Sequence, residues 1–235
     1  MSDQAIVSHD AWLDARKALL AKEKEFTRLR DALGRARQAL PWERVETDYL
    51  FEGPDGQRSL SALFAGRSQL IVYHFMLGPG WGAGCKSCSM FADHVDPALV
   101  HLEQRDVTMV FVSSAPLAEI QAFRKRMGWG FTWVSSAGSS FNRDFDVSFT
   151  QDELDSGAVH YNYTDQPFPA TEAPGLSVFA KDSDGGVFHS YSTYARGLDI
   201  LLGVYNLLDL VPKGRDEGAL DFTMAWVRLH DEYED

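Results

Sequence analysis

The chain has 235 residues, of which 45% are hydrophobic and 12% aromatic, enough for a packed core and too apolar for a disordered chain. Its formal net charge of −12 repels phosphate backbones and argues against nucleic acid as a partner. No apolar run reaches the roughly 20 residues needed to span a bilayer, and "MSDQAIVSHDAWLDARK" lacks the apolar centre of a signal peptide, so the expectation is a cytoplasmic protein with no membrane partner.

From His9 to Leu40 the chain reads as one long helix, because Trp12, Ala15, Leu19, Phe26, Leu29 and Leu33 recur at helical spacing and Pro41 stops it. "TDYLFEGPDGQRSL" alternates around Gly53, Pro54, Asp55 and Gly56 and reads as a hairpin. "SLSALFAGRSQLIVYHFML" gives a helical turn and an apolar strand from about Gln69 to Leu77, covered on both faces. A glycine-rich loop follows, then a helix through Met90, Phe91, Val95, Leu99 and Leu102 that restarts at Asp96-Pro97.

"DVTMVFVSS" is a second buried strand, "APLAEIQAFRKRMG" a helix bounded by Pro116 and Gly128, and "FTWVSS" a third strand. Trp129 and Trp133 are assigned to the core, and "FNRDF" to a loop packed by Phe141 and Phe145. "GLSVFAKDSDGGVFHSYS" is a second hairpin. "GLDILLGVYNLLDLV" reads as a helix ending at Pro212, and a last helical piece carries Phe222, Trp226 and Leu229. Strands alternating with helices imply a parallel core, and the hairpin makes the sheet mixed: an α/β domain with helical additions at both ends. The boundaries are placed at 1–47 for an N-terminal helical extension, 48–211 for the domain and 212–235 for a C-terminal helical extension.

The only two cysteines, Cys85 and Cys88, stand in "GPGWGAGCKSCSMFADH", between a buried strand and a helix. A phosphate loop of the Gly-x-x-x-x-Gly-Lys-Ser/Thr kind is excluded, since Cys85 separates Gly84 from Lys86. Cys-x-x-Cys at this position is the thioredoxin-type arrangement. Unpaired amides and the helix dipole stabilise a thiolate at Cys85, and Lys86 adds positive charge. Cys88 lies one turn on, placed to resolve a mixed disulfide on Cys85. Folds of this type carry a proline, usually cis, before a hairpin strand; "EAPGLSVF" puts Pro174 there, which would expose the Ala173 backbone for pairing with a bound thiol substrate.

The segments "YHFMLGPGWGAGCKSCSMFAD", "FRKRMGWGFTWVSSAGSSFNRDF", "PGLSVF" and "VFHSYSTYARGLDILLGVYNLLDL" resemble the thioredoxin-like proteins grouped as domain of unknown function 899, over nearly the whole chain. The resemblance implies a thioredoxin-like three-layer fold with a central mixed β-sheet, a long N-terminal helix and C-terminal helices. It also implies a dithiol-disulfide oxidoreductase. "SLSALFAGRSQLIVYHF" is similar to the peroxiredoxin/alkyl hydroperoxide reductase branch, but the peroxidase pattern Pro-x-x-x-Thr/Ser-x-x-Cys is missing. Counting back from Cys88, Trp81 and Cys85 replace the proline and the hydroxyl; counting from Cys85, Gly78 and Gly82 do.

The reading is a thiol-disulfide oxidoreductase in which Cys85 attacks, Cys88 resolves and Pro174 shapes the substrate side. Trp81, Ala173, Tyr194 and Arg196 are candidate substrate contacts, and Tyr191 joins the latter two in "YSTYARG". Substrates are a thiol or disulfide protein or a small thiol. With no Gly-x-Gly-x-x-Gly after a strand, electrons come from a separate reductant and no cofactor is required beyond the redox-active disulfide. The alternative is a copper or zinc protein with Cys85, Cys88 and His189 as ligands, His74 and His94 being the other histidines near the motif. The terminal helices suggest a homo-oligomer, most simply a two-fold dimer.

Overall fold

The computed structural model describes residues 4–234. The chain divides into two compact units, Met1–Trp42 and Glu43–Asp235. In the first, helix α1 runs His9–Gln38. Ser8 caps it by accepting from Ala11 N–H, Asp10 stands in its first turn, and Arg35 and Arg37 in its last, all in the sense the helix dipole favours.

The second unit is built on an eight-stranded mixed sheet in the order β1-β10-β9-β4-β5-β6-β2-β3. Strand β1 is Glu43–Arg44, and the hairpin β2 (Leu50–Gly53) and β3 (Gly56–Ser59) turns at Pro54-Asp55 as expected. Helix α2 (Leu60–Leu63) leads to β4 (Gln69–His74), then α3 (Lys86–Val95). A 3-10 turn at Asp96–Ala98 restarts the chain into α4 (Leu99–Glu103), so Asp96-Pro97 does break the helix. Strand β5 (Val107–Ser113), α5 (Leu117–Met127) and β6 (Trp133–Ser135) complete the parallel part. Gly128 ends α5 in the left-handed region, which glycine adopts without a Cβ clash.

An excursion follows: α6 (Phe141–Asp144), α7 (Gln151–Asp155) and a small hairpin of β7 (Val159–Tyr161) with β8 (Thr164–Gln166). None of these was expected; the segment read as a loop at Phe141 is a helical turn, with both phenylalanines buried. The chain returns in the hairpin β9 (Gly175–Lys181) and β10 (Val187–Tyr194). Strand β4 is parallel to β5 and antiparallel to β9, so β5-β4-β9-β10 with the intervening helices forms a thioredoxin-like core.

The C-terminal region departs from expectation. In place of one helix to Pro212 there is a 3-10 segment Ala195–Leu201 and a short α8 (Gly203–Leu208), separated by Leu202 at φ −86°, ψ 88°. A Cβ at Gly203 would collide with the His94 imidazole, so the glycine lets the chain pass beneath that ring. Phe222 lies at a bend, Trp226 in a turn and Leu229 in an irregular stretch, and none of them is on a helix. Glu217 Oε1 organises them by accepting from Met224 N–H (2.9 Å), Trp226 Nε1 (2.8 Å) and Tyr205 Oη (2.5 Å). Val227 and Leu229 are buried in the main core.

Two cores flank the sheet. Alternation along β4 decides their membership: Tyr73, with Phe75 just beyond, faces a core shared with Cys88, Phe91, Phe111, Phe123 and Trp133, while Leu70 and Val72 face one shared with Leu60, Phe64, Phe141 and Phe179. Among the described residues no helix is long and apolar enough to cross a membrane.

Candidate active site

The loop between β4 and α3 is fastened at both ends. Phe75 N–H donates to Val112 O (2.9 Å) and Ala115 N–H to Leu77 O (3.0 Å), so the chain stays paired beyond the strand. Cys85 N–H then donates to Met76 O at 3.0 Å, closing the loop under the helix start. Between these points Gly80 and Gly82 adopt φ +76° and +71°. Gly84 lies where any Cβ would run into the rings of Phe75 and Phe123. The glycines thus serve conformation and close packing, and both deliver Cys85 to the first turn of α3.

Cys85 is the N-cap residue of α3 and is partly buried; Cys88 is buried, and both are free thiols. The Cys88 thiol, followed by the backbone amides of Cys88 and Ser87, pulls Cys85 below the ordinary thiol range against the effect of burial. Lys86, next in the chain, is exposed. Burial, then the neighbouring Cys85, pushes Cys88 well above the ordinary range. The thiols are therefore inequivalent.

Two tyrosines that the sequence reading missed complete the surroundings. Tyr73 of β4 is buried under α3, its ring 4.4 Å from that of Phe91. Its hydroxyl bears on Cys88, where it opposes the upward push on the thiol; burial and then Cys88 raise Tyr73 itself. Tyr161 of β7 is buried and lies near enough to Cys88 for a thiolate there to raise it further, after burial. Alternation along "LIVYHF" placed Tyr73 on the face the next helix must cover and could have identified it. Tyr161 sits in a three-residue strand with no such signal.

Pro174 is tied to this group because its carbonyl accepts from Tyr161 Oη at 2.7 Å. The expected cis bond is not present: among the described residues every peptide is trans. Ala173 N–H is engaged by Val147 O (2.9 Å), and Gly175 already pairs with His74 and Tyr194, so the chain enters β9 extended. The Ala173 amide is consequently not free to pair with a substrate, and its side chain is buried.

Tyr194 is buried against Gly175, where a Cβ would stand 2.7 Å from its ring; it packs on Tyr161 and lines no open surface at the thiols. Arg196 points to solvent and binds Asp199 (2.8 Å). Trp81 is half-exposed and lies over Gly78, 2.7 Å from a Cβ placed there, which makes it an anchor of the glycine loop. Glu172 also borders Gly78; burial raises its carboxyl, which accepts from Ser148 Oγ at 2.6 Å.

The alternative ligand set is not assembled. His189 lies against Phe145 and Phe179 on the sheet face opposite Cys88. It ends a buried relay in which His74 Nε2, Ser177 Oγ, Ser192 Oγ and His189 Nε2 follow one another at 2.8, 2.8 and 2.7 Å. His94 packs on Gly203. Among the described residues no group of three or more His, Cys, Asp or Glu side chains converges to hold a metal ion.

Fold and site define a thioredoxin-like protein with two inequivalent free thiols at the start of a helix. The chain belongs to the family described as "Bacterial protein of unknown function (DUF899)", which matches residues 1–233. No curated protein matches it in sequence. Among solved structures it is similar to a cysteine mutant of peroxiredoxin Q from Xanthomonas campestris, at 15% identity over 72% of this chain and 98% of that one, with a TM-score of 0.47. It is similar also to peroxidoxin BcpB from Mycobacterium tuberculosis (15% identity, 70% and 94% covered, TM-score 0.45) and reduced 2-Cys peroxiredoxin from Plasmodium vivax (15%, 72% and 93%, 0.43).

Proposed function

We propose that the protein is a thiol-disulfide oxidoreductase working through Cys85 and Cys88. The observation that carries this reading is the placement of the two free thiols: Cys85, partly buried, caps the start of α3, where the Cys88 thiol and then the amides of Cys88 and Ser87 hold it low, and Cys88 is buried one turn on and held high. The Cys85 thiolate attacks a substrate disulfide, forming a Cys85–substrate bond and expelling the other substrate sulfur as a thiolate, which takes a proton from water. Cys88 then loses its proton and attacks the Cys85 sulfur. The mixed disulfide breaks, the second substrate thiolate leaves, and two electrons have passed from the protein dithiol to the substrate. A separate dithiol reductant reverses the two steps on the protein.

The fold supports the second step, because Cys88 stands one helical turn from Cys85 and within its electrostatic reach. Mild oxidation of the purified protein is expected to remove two hydrogens by mass, and added dithiol to restore both thiols. A protein that has been through the oxidant with both thiols still alkylatable would overturn the proposal.

A further inference from the structure

Helix α1 contains 30 residues, about 45 Å of helix at 1.5 Å per residue, and none of them is buried. Its large apolar side chains are open to solvent: Trp12 at 53%, Leu19 at 51%, Phe26 at 66%, Leu29 at 63% and Leu33 at 51%. A helix of this length that leaves an apolar stripe in water is marginal on its own, since most helical stability comes from burying that stripe.

The stripe has a definite period. Trp12, Leu19, Phe26 and Leu33 recur every seven residues, and Ala15, Lys22, Leu29 and Ala36 recur every seven in between. A strict seven-residue repeat of this kind is the seam of a coiled coil, whereas a helix lying on a globular core follows 3.6.

We infer that α1 pairs with α1 of a second copy of this chain, antiparallel, about a two-fold axis at the level of Lys24. The side chains are self-complementary in that register. Trp12 faces Ala36 of the other copy, Leu33 faces Ala15, Leu19 faces Leu29, and Phe26 faces Lys22. Trp12 and Leu33 each meet an alanine, Leu19 meets Leu29 and Phe26 meets the Lys22 stem, and each contact occurs twice, as a two-fold interface requires. The Lys22 stem lies across the second copy's Phe26 ring, a cation–π arrangement. A parallel pair in register would set Lys22 against Lys22, stack Trp12 on Trp12 and leave alanine layers at positions 15 and 36. The repeat therefore selects both the partner and its direction.

The thiol chemistry does not enter this inference. Sedimentation equilibrium of the full chain at tens of micromolar is expected to give a dimer. Leu29→Asp, which sets a carboxylate against Leu19 in two apolar layers, is expected to give a monomer whose near-ultraviolet dichroism is retained. Ala21→Glu, on the outer side of α1, is expected to leave the dimer intact. Direction is read from a spin label at Gln38→Cys in a Cys85→Ser, Cys88→Ser background. The antiparallel register separates the two labels by about 42 Å along the axis, whereas a parallel one holds them within about 20 Å. A monomeric full chain, a dimer that survives Leu29→Asp, or the short label distance would each overturn the inference.

Discussion

Tyr161 Oη donates to Pro174 O at 2.7 Å and accepts from Ala195 N–H at 3.0 Å, so one hydroxyl fastens the start of β9 and the end of β10 beside Cys88. Tyr161→Phe leaves two backbone groups without their partner, at about 1–3 kcal/mol. The unfolding free energy is expected to fall by that amount through a lower urea midpoint at unchanged slope, and exchange between the protein thiols and a disulfide peptide to slow. Unchanged stability together with unchanged exchange would remove Tyr161 from the site.

The thiol next to Cys85 is the largest influence on it, so the residue put in place of Cys88 matters. In Cys88→Ser a hydroxyl still donates, and Cys85 is expected to alkylate readily at neutral pH and to accumulate mixed disulfides. In Cys88→Ala the amides of residues 87 and 88 and the Ser87 hydroxyl remain, and the Cys85 alkylation profile is expected to move towards the ordinary thiol range. Because Cys85 is lowered, its thiolate is already formed below that range and its rate levels off before an ordinary thiol would. Identical profiles for the two variants would show that the helix start alone sets the thiolate.

Tyr73 bears more strongly on Cys88 than on Cys85, so its main effect falls on the resolving step. Tyr73→Phe is expected to leave Cys85 alkylation within about twofold and to slow release of substrate from the mixed disulfide roughly tenfold. That factor corresponds to about 1.4 kcal/mol, the size of one hydrogen bond to a charged group. Rapid mixing with a chromogenic disulfide separates the two phases, and a loss confined to the first phase would contradict the assignment.

Gly84 has no room for a side chain against Phe75 and Phe123. Gly84→Ala is expected to destabilise the protein by about 1–3 kcal/mol through overpacking, measured by chemical denaturation. Gly34 has open space around it, and Gly34→Ala is expected to cause no such loss.

His74 is buried and is lowered to about 3 from 6.5, by burial first and then by His189. Between those pH values the unfolded chain binds the proton that the folded one refuses, so stability falls as pH drops from about 6.5 towards 3 and is unaffected above that window. His189, lowered as well, adds to the same trend. Unfolding free energies of the native protein and His74→Gln, taken across the window, are expected to show a shallower fall in the variant. Parallel slopes would place the acid sensitivity elsewhere.

Most of the thioredoxin-like core was legible because its strands are continuous apolar runs and its helices carry caps: β4, β5 and α5 were all read to within a few residues, as was the position of Cys85 at a helix start. What was not legible depends on contacts distant in sequence. The turns around Trp226 hang on one carboxylate, Glu217, and helical spacing alone mistook them for a helix. The hairpin that brings Tyr161 to Cys88 consists of two three-residue strands, too short to show a period. His189 looked available because it follows Pro174 in the chain, yet the sheet stands between it and the thiols.

That sheet also divides how the protein can change. Tyr73 and His74 are adjacent in the chain, but one serves the thiols and the other the buried histidine–serine relay on the far side. Descendants of this sequence are free to remodel one compartment while the other keeps its chemistry, provided β4 never slips. A single inserted or deleted residue in that strand exchanges the two faces at once, so the lineage tolerates substitution there far better than a change of length.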